Sequence, residues 1–150
     1  MNFVKKMILI LTIIILYSGA SFASINKWKN DSIESTEYGD LLTLIIFENG
    51  LKEKNIGIIF PSDECSSYDS IPINAPSMYI NNTKVQMMAQ CLAKGKRMDF
   101  PKTSAGRHYV INELRNKNQI IYKQGGLTTT FKAKGFTSAY NSFESISGGL

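Results

Sequence analysis

His108 is the single histidine of the chain, and it limits the catalysis that the sequence can support. Zinc sites built on imidazole need two or three histidines, and this sequence has one. A Ser-His-Asp triad would have to use His108, but no G-x-S-x-G turn supplies the serine. We therefore predict that His108 is a half-exposed helix residue without a catalytic role.

Three acidic residues, Asp63, Glu64 and Asp69, lie close together in a proline-rich stretch. Paired carboxylates can hydrolyse glycosides, and clustered carboxylates can bind calcium. The D-x-[DN]-x-[DN]-G spacing of a calcium loop is missing, and Gly125-Gly126 fits a turn better than a phosphate-binding loop. We interpret the acidic residues as a solvated loop, and we predict a non-enzymatic protein without metal or cofactor.

Cys65 and Cys91 are the two cysteines, and they are 26 positions apart. Redox-active pairs are commonly close in sequence, as in C-x-x-C. In an oxidising compartment an even pair usually forms a structural disulfide. Period-2 alternation over residues 85–92 places Cys91 on the inward face of a strand. We predict a structural disulfide that ties the loop of Cys65 to this strand.

Three basic residues, Lys102, Arg107 and Arg115, flank one predicted helix. They could bind an acidic partner or an anionic lipid head group, although a solvated helix face has the same composition. After residue 23 the chain has 15 basic and 12 acidic residues, a net charge of about +3. Duplex binding needs a dense stripe of Lys and Arg, which is missing, so no nucleic-acid partner is predicted.

The first residues have the pattern of an export signal. Lys5-Lys6 is followed by the apolar run MILILTIIILY at residues 7–17, and then by small residues at Ser21 and Ala23. This order is typical of a signal peptide cleaved after Ala23. The alternative is a retained anchor, but a spanning helix needs roughly 20 apolar residues. We predict a signal peptide over residues 1–23, and a periplasmic or secreted protein that is not an integral membrane protein after cleavage.

The remaining chain divides into two parts. Residues 24–40 are polar, and we predict a loosely ordered N-terminal segment with at most one short strand, in which Trp28 is the anchor to the core. Residues 41–150 have the length and composition of a single β-rich domain.

A hairpin is predicted at the start of this domain. Residues 41–48 read LLTLIIFE, a run that suits a strand. Asn49-Gly50 then supplies a tight-turn signal, and residues 51–60 form the return strand. Residues 61–77 are predicted to be a loop.

The C-terminal half changes period and predicts two short helices. Residues 103–117 have helical spacing, with Thr103 or Ser104 as the N-cap and Ala105 on the apolar stripe. After another hairpin, Thr137 is predicted to cap a second helix, with Phe136 buried between this helix and the sheet. The fold class is therefore mainly β, an antiparallel β-sandwich-like domain or curled sheet.

The C-terminal pattern resembles the invasion-associated locus B family. The resemblance rests on Cys91, the helix after it and the stretch FKAKGFTSAYNSF at residues 131–143. Many members end in a strand, a Gly-Phe pair and a short helix, as in Gly135-Phe136-Thr137. The resemblance covers about the last 60 residues, and this chain has fewer cysteines than many members. It implies an exported, non-enzymatic protein of Gram-negative bacteria with a β-sandwich-like fold, and it carries over no site residue.

Two functions fit these observations. The first is a small exported protein that binds a protein or an envelope component. The alternative is an envelope inhibitor or an exclusion or immunity-type factor of a mobile element. Opposite potentials steer association, so an inhibitor of basic cell-wall hydrolases should be acidic. The net charge of about +3 after residue 23 counts against that version.

Overall fold

The computed structural model describes residues 27–143, so the predicted signal peptide lies outside the described residues. The strands are β1 (Ser32–Ser35), β2 (Gly39–Glu48), β3 (Lys54–Pro61), β4 (Ile73–Ile80), β5 (Thr83–Ala93), β6 (Lys96–Pro101), β7 (Gln119–Gln124) and β8 (Leu127–Lys132). The helices are α1 (Ser104–Asn116) and α2 (Phe136–Ser142). No helix among the described residues has the length and apolar character needed to cross a membrane.

The strands form one antiparallel sheet in the order β1-β2-β3-β6-β5-β4-β7-β8. The sheet curls until its two ends meet. Thr36 N–H donates to the Thr130 carbonyl at 2.9 Å, and Trp28 N–H donates to the Lys134 carbonyl at 3.2 Å. The sheet is thus nearly closed. The predicted mainly-β fold with two short helices in the C-terminal half is confirmed.

The core lies between the curled sheet and α1. Alternate side chains of β2 point inward, so that Leu42, Leu44 and Ile46 are buried. Helix α1 packs against β3, β6, β7 and α2, and it buries Val110 and Leu114. The inward side chains of the strands and of α1 therefore form one hydrophobic core.

A hydrogen-bond network joins β1 and β8 where the sheet closes. The buried hydroxyls of Ser35 and Thr129 are 2.7 Å apart, and Glu37 Oε2 accepts from the Thr130 N–H at 2.7 Å. Burial alone would raise the pKa of Glu37, but the Thr130 N–H and neighbouring threonine hydroxyls outweigh it and lower the pKa to about 2. The charged form of Glu37 thus stabilises the closure of the sheet.

This network predicts a pH-dependent contribution to stability. Because the folded-state pKa of Glu37 is lowered, its contribution is complete above the ordinary value of 4.5 and is lost as the pH falls towards about 2. The side chain is exposed and partly screened, so we expect Glu37→Gln to lower the free energy of unfolding by about 1 kcal/mol at pH 7. Denaturant unfolding of both proteins at pH 7 and pH 3 measures this difference, which should shrink at pH 3.

Glu34→Gln is the matched control, because Glu34 lies exposed on β1. It should unfold like the wild type at both pH values. An equal loss of stability in Glu34→Gln and Glu37→Gln would contradict the role given to the Thr130 contact.

The described part of the N-terminal segment contains one short strand of its own, β1. Residues 27–40 contain β1 and the start of β2. Trp28 and Ile33 are buried in the core, which confirms Trp28 as an anchor. The sequence of this segment is polar because β1 lies at the end of the sheet and buries alternate residues only.

The turn of the first hairpin also differs from the two-residue turn that Asn49-Gly50 predicts. The loop spans residues 49–53, and its positive φ of 60° belongs to Lys52. The Asn49 side chain accepts from the N–H groups of Leu51 and Glu53 at 3.0 and 2.9 Å. Asn49 therefore stabilises the turn through its side-chain oxygen and not through a positive φ. The predicted hairpin itself is confirmed.

Strand β4 begins inside the predicted loop. Residues 61–77 were expected to lack regular structure, but β4 starts at Ile73. Its pairing with β5 shifts between Ala75 and Met78. Pro76 lies in this irregular part, where a missing N–H disrupts the ladder least.

The helix termini show one confirmed cap and one correction. Thr103 caps α1 as predicted, and its hydroxyl accepts from the Gly106 N–H at 3.0 Å. Ala105 is exposed and not part of the buried face. The N-cap of α2 is Gly135 with φ 87°, so the predicted cap Thr137 lies inside the helix. A left-handed residue turns the chain here, and glycine adopts that conformation without strain.

Candidate binding cavity

An apolar cavity of about 300 Å³ opens at one end of the sheet. It lies where β2 and β8 begin and where β3 and β7 end. Its wall includes the side chains of Leu42, Ile58, Phe60, Met78, Tyr122 and Leu127. This volume is at the lower end of the range for small-molecule sites.

The cavity follows from how β4 and β7 pair. They form only two pairs, Tyr79 with Lys123 and Ile80 with Tyr122. Beyond these pairs the two strands separate at the irregular part of β4, and the Gln124 side chain reaches across to the Pro76 carbonyl at 2.9 Å. At this end of the sheet the inward side chains leave the cavity unfilled.

Exposed apolar side chains surround the mouth of the cavity. Tyr38, Leu41 and Leu127 are 41%, 58% and 40% exposed, and all three belong to the cavity wall. Exposed apolar residues that occur together, rather than singly, mark binding sites for ligands or partners. The mouth thus continues the apolar character of the interior onto the surface.

Tyr122 is a buried residue of the cavity wall. It is 3% exposed, and its hydroxyl makes no hydrogen bond to any residue within 27–143. Burial raises the pKa of Tyr122 above its ordinary value, so the phenol stays neutral. Its ring is fixed edge-on against Phe131, with centroids 5.7 Å apart.

Three other polar side chains of the wall, those of Thr129, Gln124 and Lys123, have partners within the protein. The Thr129 hydroxyl pairs with Ser35, and the Gln124 amide donates to Pro76. Lys123 is exposed, and its Nζ lies 3.5 Å from Asn82 Oδ1.

The three basic residues predicted as a partner site, Lys102, Arg107 and Arg115, have separate contacts. Lys102 Nζ donates to Asn74 Oδ1 at 2.8 Å. The Arg115 guanidinium lies over the Tyr140 ring, 4.9 Å from its centroid. Lys102 and Arg115 are at opposite ends of α1, so the structure does not bring the three side chains together. Their role towards a partner stays a prediction.

Arg107 is the most buried of the three, at 9% exposure. Its guanidinium donates to both carboxylate oxygens of Glu53, at 2.6 and 2.9 Å. A hydrogen bond from Asn49, and to a smaller extent one from Arg107, lowers the pKa of Glu53. This bidentate pair joins α1 to the first hairpin and gives Arg107 a structural function.

The disulfide between Cys65 and Cys91 is present, as predicted, with Cα atoms 5.4 Å apart. Of the predicted loop carboxylates, Asp63 is exposed, whereas Glu64 accepts from Arg97 at 2.6 Å. Arg97 also donates to the two oxygens of Asp99, at 2.7 and 3.2 Å.

Asp99 is fully buried, and sequence reasoning missed it. It lies on β6 two residues after Arg97, and this spacing of opposite charges was the only feature of the sequence that indicated the pair. The pair sits next to the disulfide, because Arg97 is the registered partner of Cys91. These charges therefore hold the loop of residue 65 in place.

His108 lies exposed on α1. Within residues 27–143, no three histidine, cysteine, aspartate or glutamate side chains come together in the manner of a metal site. Comparison with protein-family models, curated proteins and solved structures finds no match for this chain.

Proposed function

We propose that this chain is an exported, disulfide-bonded binding protein, and that it receives the apolar part of an envelope component or ligand in the cavity. The observation that carries this proposal is the open apolar cavity with its rim of exposed Tyr38, Leu41 and Leu127. Apolar sites with few polar groups are typical of small-molecule recognition.

Export is supported by two independent features. The pattern of residues 1–23 is that of a signal peptide, and the disulfide belongs to oxidising compartments such as the periplasm or the exterior. The resemblance of the C-terminal part to the invasion-associated locus B family agrees with an exported, non-enzymatic role.

A neutral fluorescent probe, N-phenyl-1-naphthylamine, tests binding in the cavity. The protein, purified with its disulfide intact, should bind the probe saturably with a stoichiometry of one. Leu127→Trp fills the mouth with a larger side chain at a position that is already 40% exposed, so the fold should tolerate it. We expect its affinity for the probe to fall by about tenfold or more, since apolar burial of a probe is worth several kcal/mol.

Leu51→Trp is the matched control. Leu51 is 80% exposed in the loop of the first hairpin, outside the cavity wall. This variant should bind the probe like the wild type. Equal binding by Leu127→Trp and wild type, or no saturable binding by the wild type, would overturn the proposal.

A further inference from the structure

We infer that the ligand of the cavity is a small uncharged molecule with an apolar body and one hydrogen-bonding group, which pairs with the Tyr122 hydroxyl. This inference rests on the proposed function, because it assigns a ligand class to the same cavity. It identifies Tyr122 as the residue that determines specificity.

The free hydroxyl of Tyr122 is the first support. Buried polar groups almost always have a hydrogen-bond partner, and a buried group left without one is destabilising. The Trp28 Nε1 atom is the one fully enclosed side-chain N or O atom without a partner among the described residues. The Tyr122 hydroxyl is not enclosed in this way, and since the residue is 3% exposed and lines the cavity, its access is through the cavity.

The charge around the cavity is the second support. A carboxylate placed beside Tyr122 would lose its hydration without meeting a cation, which is costly in an apolar site. Lys123 is a cation of the wall, but it follows Tyr122 on β7, so its side chain points to the opposite face of the sheet. It is exposed, and its Nζ lies near Asn82. The wall therefore selects an uncharged ligand, with a carbonyl or hydroxyl group as the polar part.

The depth of Tyr122 decides the orientation of the ligand. Tyr122 is buried, whereas Tyr38, Leu41 and Leu127 at the mouth are 40–58% exposed. The polar group must therefore reach the inner part, and the apolar body lies against the mouth. A bilayer lipid that inserted its chain end first would bring a methyl group to Tyr122, so the ligand is a free small molecule.

Competition with the bound naphthylamine probe tests the ligand class. On the wild type, 2-octanone and 1-octanol should displace the probe at concentrations about tenfold lower than octanoate does at pH 7.5. Tyr122→Phe removes the hydroxyl and keeps the ring. We expect this variant to bind 2-octanone about three- to tenfold less tightly than the wild type, the range of one net hydrogen bond. Its affinity for octanoate should be unchanged.

Tyr79→Phe is the control, because it removes a phenol hydroxyl on neighbouring β4 from a side chain that is 49% exposed and outside the wall. It should bind all three molecules like the wild type. A second measurement uses the wild type alone and so does not depend on the folding of a variant. The carbonyl stretch of bound, ¹³C-labelled 2-octanone should lie at a lower frequency than in hexane, because the carbonyl accepts a hydrogen bond.

The outcomes separate the two proposals. If the probe binds and Leu127→Trp blocks it, but octanoate competes as well as 2-octanone, the ligand class is wrong and the binding function stands. The ligand class is also wrong if the carbonyl stretch is unshifted or if Tyr122→Phe binds 2-octanone like the wild type. If the probe fails to bind the wild type, both proposals fall.

Discussion

Replacing Phe136 with alanine lowers the free energy of unfolding by about 3–5 kcal/mol, the usual cost of truncating a buried phenylalanine. Phe136 has no exposed surface. Its ring lies 5.1 Å from Trp28 and 5.4 Å from Tyr140, centroid to centroid. It thus joins the N-terminal segment to α2, and alanine would leave a cavity between them. Because a domain is stable by only about 5–15 kcal/mol, the melting temperature should fall clearly.

Thermal and denaturant unfolding of the purified protein measure this effect. Tyr79→Ala is the control, because it truncates an aromatic side chain that is half exposed on β4. It should change stability by less than about 1 kcal/mol. A Phe136→Ala protein that melts like the wild type but binds its ligand less tightly would show that Phe136 serves recognition and not packing.

Removing the disulfide should have the second largest effect. The double substitution Cys65→Ser and Cys91→Ser opens a loop closed over a separation of 26 residues, and the chain-entropy model gives a loss of about 3–4 kcal/mol. Two backbone contacts beside the bond should weaken with it. Gly95 N–H donates to the Cys65 carbonyl at 2.7 Å, and Asp69 N–H donates to the Cys91 carbonyl at 2.9 Å.

Denaturant unfolding of the double variant measures the loss, and the reduced wild type should unfold at a similar denaturant concentration. Alkylation supplies the second measurement. Without reductant, the native protein should take up no label at either cysteine, and after reduction it should take up two. Ready labelling of both cysteines in the unreduced protein would contradict the disulfide and weaken the argument for export.

Local structure was largely predictable from sequence, because it depends on neighbouring residues. Alternation along β5 placed Val85, Met87 and Ala89 on the buried face, and the structure agrees. Thr103 caps α1 as predicted, since the cap needs only its own hydroxyl and the Gly106 N–H. With two cysteines, only one intramolecular pairing exists. Hairpin signals likewise indicated an antiparallel sheet.

Predictions from local sequence were wrong where contacts with a distant part of the chain decide the structure. Thr137 is a good cap by type, but the left-handed turn at Gly135 makes that residue the N-cap, so the helix begins at Phe136 and packs against Trp28. Residues 27–40 look like a loose segment because their contacts, such as Ser35 with Thr129, cross 94 positions of sequence. No local pattern reports such a partner.

The apolar cavity was decided by tertiary structure alone. The sequence by itself determined a β-rich domain with a disulfide and two helices, since these depend on periodicity, capping and composition. The cavity depends on the separation of β4 from β7 and on the meeting of β1 with β8. In the sequence alone, Tyr122 cannot be distinguished from the other inward-facing residues of the strands. Its side chain lines a cavity whose wall residues come from five strands, and such a space is a property of the whole closed sheet.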